Sequence, residues 1–167
     1  MYDFEEEQSV MGREIERKFT IKHMPDDADR YPFHIIEQAY LTTEPTIRVR
    51  REDNTYYMTY KGTGGDNTPL SHEEYNLPLT EEAYETLSSK ADGNVIRKKR
   101  YLIPYDSVMI ELDVFGEPFK PLVIAEIEFE SEEEAEAFCP PDWFDEDVTG
   151  RREYTNSWLS RRVIRKA

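Results

Sequence analysis

The chain has 167 residues, with 36 Asp or Glu against 21 Lys or Arg and a formal net charge of −15. The length supports one domain with a real core, and the charge excludes a protein that grips DNA or RNA along a basic surface, which needs clustered Lys and Arg facing out. No stretch approaches the apolar length of a membrane span and the acidic start is the wrong charge for a secretory signal, so the expectation is a cytoplasmic protein, monomer or homodimer, with no nucleic-acid or membrane partner.

Met1 to Ser9 is acidic and aperiodic, so residues 1–11 are expected to be a disordered extension ahead of a single domain spanning 12–167. In Glu14-Ile15-Glu16-Arg17-Lys18-Phe19, strand alternation sends Glu14, Glu16 and Lys18 to one face and Ile15, Phe19 and Ile21 to the other. Pro25 to Pro32 reads as a loop. His34 to Leu41 is extended, Glu44-Pro45 turns, and Thr46 to Arg51 is a strand in which Ile47 and Val49 alternate with Arg48 and Arg50. Asp53-Asn54 is a hairpin signal and Thr55 to Lys61 returns. Gly62 to Gly65 reads as a mobile loop before a strand over Ser71 to Leu79, and Thr80 caps a short helix carrying Tyr84 and Leu87.

Asn94 to Ile103 and Ser107 to Phe115 form a hairpin through Pro104-Tyr105-Asp106, and Leu122 to Phe129 is another strand. Ser131 followed by Glu132, Glu133 and Glu134 opens a helix with an N-cap and an acidic first turn. That helix ends near the single cysteine, Cys139, which reads as structural because nothing nearby lowers its pKa. Glu153 to Arg162 is the expected terminal helix. About eight strands in meander order predict a mainly β, α+β domain: an eight-stranded antiparallel barrel closed as a tunnel, with helices covering its apolar outer faces.

The charged faces segregate by strand. Arg48 and Arg50 share one, Thr59 and Lys61 another, Lys98 and Arg100 a third. Glu111 with Asp113, Glu126 with Glu128, and Glu74 with Asn76 complete the set. A solvated outer face explains any one of these strands. Taken together, and with the sheet closed apolar side out, they line a lumen. Such a lumen is a poor stability device, because like charges 4 Å apart repel by roughly 4 kcal/mol at an effective dielectric near 20. Clustered carboxylates facing clustered Arg and Lys suit a polyphosphate carrying divalent metals: Glu14, Glu16, Glu126 and Glu128 are hard oxygen donors for Mg²⁺ or Mn²⁺, and Arg48, Arg50, Lys18 and Lys61 suit phosphate. Three scattered histidines give little support to a His-based zinc site.

The Glu14–Phe19 run resembles the ExExK signature of the CYTH proteins, or triphosphate tunnel metalloenzymes. The likeness extends through Gln38-Ala39-Tyr40-Leu41, Ile47-Arg48-Val49-Arg50, Tyr60-Lys61-Gly62, Lys98-Lys99-Arg100-Tyr101, Glu111-Leu112-Asp113, Ala125-Glu126-Ile127-Glu128-Phe129 and Tyr154-Thr155-Asn156-Ser157. It implies a tunnel that binds a triphosphate with one or two divalent ions. Glu14, Glu16, Glu126 and Glu128 would be the main metal ligands, assisted by Glu111, Asp113 and Glu74. Lys18, Arg48, Arg50, Lys61, Lys98 and Arg100 would hold phosphate. Asn76 departs from the pattern, since many relatives carry a Glu there.

The short link from Gln38-Ala39-Tyr40-Leu41 to Thr46-Ile47-Arg48 resembles that of the compact bacterial members and favours hydrolysis of inorganic tripolyphosphate to pyrophosphate and phosphate. The rival readings are an adenylate cyclase, a thiamine or nucleoside triphosphatase, and a non-catalytic polyphosphate-binding module. The catalytic candidates are Lys98, as water-activating base or phosphate clamp, and Arg100 beside it.

Overall fold

The structure is a computed structural model that describes residues 12–62 and 71–164; the expected N-terminal extension and most of the Gly62–Gly65 loop lie outside them. Its centre is one antiparallel sheet of β1 (Gly12–Ile21), β2 (Phe33–Thr43), β3 (Thr46–Glu52), β4 (Thr55–Gly62), β5 (Ser71–Pro78), β6 (Asp92–Tyr105), β7 (Val108–Phe115), β8 (Val123–Phe129) and β9 (Phe144–Asp147). The order is β5-β4-β3-β2-β6-β7-β8-β1-β9. The alternating pattern dictates β1 to β8, and tight turns join β2 to β3, β3 to β4 and β6 to β7. Asp53 and Asp106 take φ values of 52° and 48° at the β3–β4 and β6–β7 corners, a region Asp tolerates through its short polar side chain. The Asp53 carboxylate also accepts the Ile35 N–H at 2.9 Å.

The expected eight-stranded closed barrel is corrected in two respects. Among the described residues there are nine strands, because Phe144–Asp147 pairs with the C-terminal half of β1. This short strand carries a single apolar residue and shows no alternation. Second, the flanks of the curled sheet meet only along a short seam, Gly12 to Ile15 of β1 against Glu74 to Ser71 of β5. The rest of that β1 edge belongs to β9.

Helix α1 (Glu81–Ser88) is capped by Thr80, whose hydroxyl accepts the Ala83 N–H, and α2 (Glu132–Ala137) by Ser131, which accepts from Glu134. Both cover apolar outer faces. Tyr84 of α1 packs with Ala39 and Val49. Ala135 of α2 joins Ile15, Phe19, Ile110, Leu112, Ile127 and Phe144. Arg17 pins this side by donating to the Ala135 carbonyl at 2.8 Å and to Asp147 at 2.6 Å.

The terminal helix differs from expectation. Thr155 is extended, at φ −85° and ψ 144°, and caps α3 (Asn156–Arg161), so the expected Glu153–Arg162 helix is split into a 3-10 turn and this shorter helix. Nor does α3 lie on the outside. Its Leu159 packs with Tyr40, Ile96, Phe115, Phe119 and Ile124. By alternation, the four strand residues share the inward face with Gln38, Lys98, Asp113 and Glu126. Part of one end of the interior is therefore plugged by apolar side chains.

Gly93 fits this plug tightly: at φ +79° a methyl group there would overlap the Ser160 carbonyl oxygen at the end of α3. Gly93→Ala is expected to destabilise the protein by about 2 kcal/mol or more, through positive-φ strain and displacement of α3. Urea unfolding checks this.

Candidate functional site

Seven strands send charged side chains inward, and their register decides which meet. Across β1–β8, Glu16 faces Glu128 and Lys18 faces Glu126; across β7–β8, Glu111 faces Glu126. The Lys18 ammonium answers this acidic wall, lying 3.1 Å from Glu16 and 3.4 Å from Glu126. Burial alone would lower its pKa, but Glu126 and Glu16 outweigh burial and raise it. Lys61 stands opposite Glu74 in the β4–β5 register and bridges Glu14 at 2.7 Å and Glu74 at 3.1 Å. Asn76 donates to Glu74 at 3.0 Å and accepts the Thr59 hydroxyl at 2.6 Å, so this departure from the family pattern serves to orient a carboxylate.

Glu14 and Glu74 share their environment unequally. Burial, with Glu16 and Glu74 nearby, pushes Glu14 up to about 7 despite Lys61. Glu74 goes the other way, to about 2, because Lys61 and the hydrogen bond from Glu14 overcome its burial. Burial also raises the pKa values of Glu111 and Glu128.

The opposite wall belongs to β3. Arg50 donates to the Gln38 side-chain carbonyl at 2.9 Å and to the Tyr57 hydroxyl at 3.2 Å, with Glu52 at 3.6 Å. Arg48 is different. It is 6% exposed, its Nε has no hydrogen-bond partner, and among the described residues no carboxylate lies within ion-pair distance of it.

Arg100 of β6 is gripped from three sides: by Asp113 at 2.7 Å through two nitrogens, Glu111 at 2.5 Å and Glu126 at 3.1 Å. Asp113 has no exposed side-chain surface and also pairs with Lys98. Lys98 is likewise fully buried, and burial lowers its pKa to about 8 despite Asp113.

These groups surround a 240 Å³ cavity lined by Glu14, Glu16, Lys18, Arg48, Arg50, Lys61, Glu74, Arg100, Glu111, Glu126 and Glu128. Eleven of the thirteen expected site residues meet there. Lys98 and Asp113 do not reach its lining and sit one layer behind Arg100. The cavity adds Glu52, Tyr57 and Asn156, which sequence reasoning missed. Extending the Arg48-Arg50 alternation by two residues reaches Glu52, and stepping back from Lys61 and Thr59 reaches Tyr57; Asn156 lies in the Tyr154–Ser157 segment that carries the family likeness. A wider 630 Å³ cavity continues from the first through Glu16, Lys18, Arg48 and Lys61 to a mouth at Glu44, Pro45, Tyr60 and Ser157.

A model of the CYTH domain matches residues 12–147. The chain belongs to the CYTH family. It is 40% identical over 154 residues to the inorganic triphosphatase of Nitrosomonas europaea, covering 88% of this chain and 96% of that protein. It is 35% identical over 155 residues to the inorganic triphosphatase of Acetivibrio thermocellus, covering 89% and 94%. The crystal structure of the inorganic triphosphatase NE1496 superposes with a TM-score of 0.68 at 34% identity, over 92% of this CYTH chain and 97% of that one. No described helix is long and apolar enough to cross a membrane.

The Glu14–Glu74 pair has a signature in stability. Raised to about 7 in the fold from an ordinary 4.5, Glu14 keeps a proton that the unfolded chain has lost. Stability therefore falls as pH rises from 4.5 to 7, by up to about 3 kcal/mol at about 1.4 kcal/mol per pH unit. Glu74 acts in the lower window: its stabilisation is present above 4.5 and lost toward 2. In metal-free buffer, the loss of unfolding free energy between pH 5 and 7.5 is expected to be smaller in Glu14→Gln than in the unsubstituted protein, measured by urea titration.

Proposed function

We propose that this chain hydrolyses inorganic tripolyphosphate to pyrophosphate and phosphate with the help of Mg²⁺ or Mn²⁺. The observation that carries this reading is Arg48, a buried guanidinium at the junction of two cavities with no carboxylate within ion-pair distance among the described residues. A buried cation kept unpaired is costly unless a ligand anion completes it, and a guanidinium suits phosphate oxygens. Family membership and the two named relatives support the same chemistry.

The donors fit divalent cations of the hard class. Every carboxylate lining the cavity is a glutamate, and seven of them face five cations, so a bare polyanion would leave acids uncompensated. Among the described residues no three acidic, His or Cys side chains are gathered into a ready cage. That suits ions held by one or two carboxylates plus phosphate oxygens and water. Glu14, Glu16, Glu126 and Glu128 are the proposed ligands, with Glu111 and Glu74 assisting; bound there, the ions would neutralise charge developing on the phosphate oxygens.

The protein's own part is position and charge. Arg48, Arg50, Lys18 and Lys61 hold the phosphate chain, so that water can attack a terminal phosphorus in line as the phosphoanhydride bond opposite it breaks. Asp113 fixes Arg100, which then presents its guanidinium between Glu111 and Glu126 to the leaving oxygens. Lys98, with its pKa pushed down to about 8 chiefly by burial, is the candidate proton acceptor for that water, provided it turns from Asp113 toward the cavity.

Three measurements test this. A panel of tripolyphosphate, thiamine triphosphate and ATP with each metal should show preferential release of phosphate and pyrophosphate from tripolyphosphate; cyclic AMP production would select the cyclase reading, and binding without turnover the non-catalytic one. Arg48→Gln is expected to lower kcat/KM by about 100-fold, a loss on the scale of one removed charge-stabilising contact. In Lys98→Ala the rise of rate toward pH 8 should disappear; a lower rate with the same pH limb would leave Lys98 a positioning residue.

A further inference from the structure

The wide outer cavity shares Thr43, Glu44 and Ser157 with a third one, a 300 Å³ surface groove between the β2–β3 link and α3. Arg152, Arg161 and Arg162 line this groove, with Glu44 its one carboxylate among the described residues. Three cations around one acid stand out on a chain of net charge −15, because the rest of the surface supplies an excess of acids that would neutralise them. The nearest attempt is weak: Arg152 and Glu44 are 3.8 Å apart with side chains 78% and 82% exposed, a pairing worth little in water. Among the described residues no carboxylate lies within ion-pair distance of Arg161 or Arg162. A positive groove continuous with a phosphate cavity concentrates anions at its mouth.

We propose that this groove is an outer anion subsite for a linear polyphosphate longer than three phosphates, whose leading end occupies the interior. The inference rests on the phosphate-binding reading of that interior. Arg48 and Lys61 line the wide cavity, and the three arginines continue that cationic track in the adjoining groove. A nucleoside is the poorer occupant. The Arg162 guanidinium lies over the Trp158 ring, 5.8 Å from its centroid, so a base stacking on that face would have to displace it.

The test compares the wild-type protein with Arg152→Gln/Arg161→Gln/Arg162→Gln in Mg²⁺. Stopped-flow tryptophan fluorescence and competition against tripolyphosphate hydrolysis give affinities for tripolyphosphate, long-chain polyphosphate and ATP. The variant is expected to bind long-chain polyphosphate about tenfold more weakly, with tripolyphosphate changed by less than about twofold, as suits three exposed charge contacts. The wild type should also show a steeper loss of affinity with salt for the long chain than for tripolyphosphate, a difference the variant removes. This salt comparison needs only wild-type protein and stands if the variant fails to fold. Equal weakening of both polyphosphates, no weakening of either, or a loss confined to ATP would overturn the subsite. Failure of the wild type to hydrolyse tripolyphosphate would instead remove the proposed activity, and the binding comparison would still decide the groove.

Discussion

Charge turned into the interior of a curled sheet loses most of its water, and everything else in this protein follows from how that loss is repaired. Each buried ion costs several kcal/mol unless a partner stands within hydrogen-bond reach. The register of neighbouring strands provides such partners: Lys18 faces Glu126, Lys61 faces Glu74 and Arg100 faces Asp113. A one-residue slip in any of these pairings would turn the ions outward and apolar side chains inward. The ladder that builds the sheet thus also sets the charge balance of the cavity.

Repair is complete at the back of the site and incomplete at the front. Behind the lining, Asp113 satisfies both Lys98 and Arg100 and has no exposed surface. Within that cluster Asp113 holds Arg100 between Glu111 and Glu126. Toward the cavity, Lys18 and Lys61 hold acids at the lining, and among the described residues no carboxylate lies within ion-pair distance of Arg48. Ligand binding in such a site exchanges one set of ion pairs for another, so the cost of burying the charges has already been met by the fold.

One end of the interior is divided. Leu159, Phe115, Phe119 and Ile124 fill its β6–β8 side with apolar contacts, while beside them the wider cavity opens past Pro45 and Tyr60. The short helix α3 touches both regions, through Leu159 in the plug and Ser157 at the mouth. Gly93 lets the chain approach α3 closely enough for this, which ties a backbone requirement far from the charges to the shape of the cavity.

Much of this was legible in the residue order. Period-two alternation identified β1 through β8 and assigned Glu14, Glu16, Lys18, Arg48, Arg50 and Lys61 to one face, because a strand allows a side chain only two directions. Ser131 and Thr80 announced their helices, because a hydroxyl before an acidic turn satisfies free N–H groups. The short β9 was not legible, since its pairing with β1 stabilises a segment with no pattern of its own. Nor was the division between Lys98 and Arg100, two residues apart on one face. Residue types and spacing determined that this protein carries an inward charged surface of the CYTH kind. Only the tertiary structure decided which charges spend themselves on one another and which, like the Nε of Arg48, stand without a partner among the described residues, because that depends on distances between strands far apart in the chain.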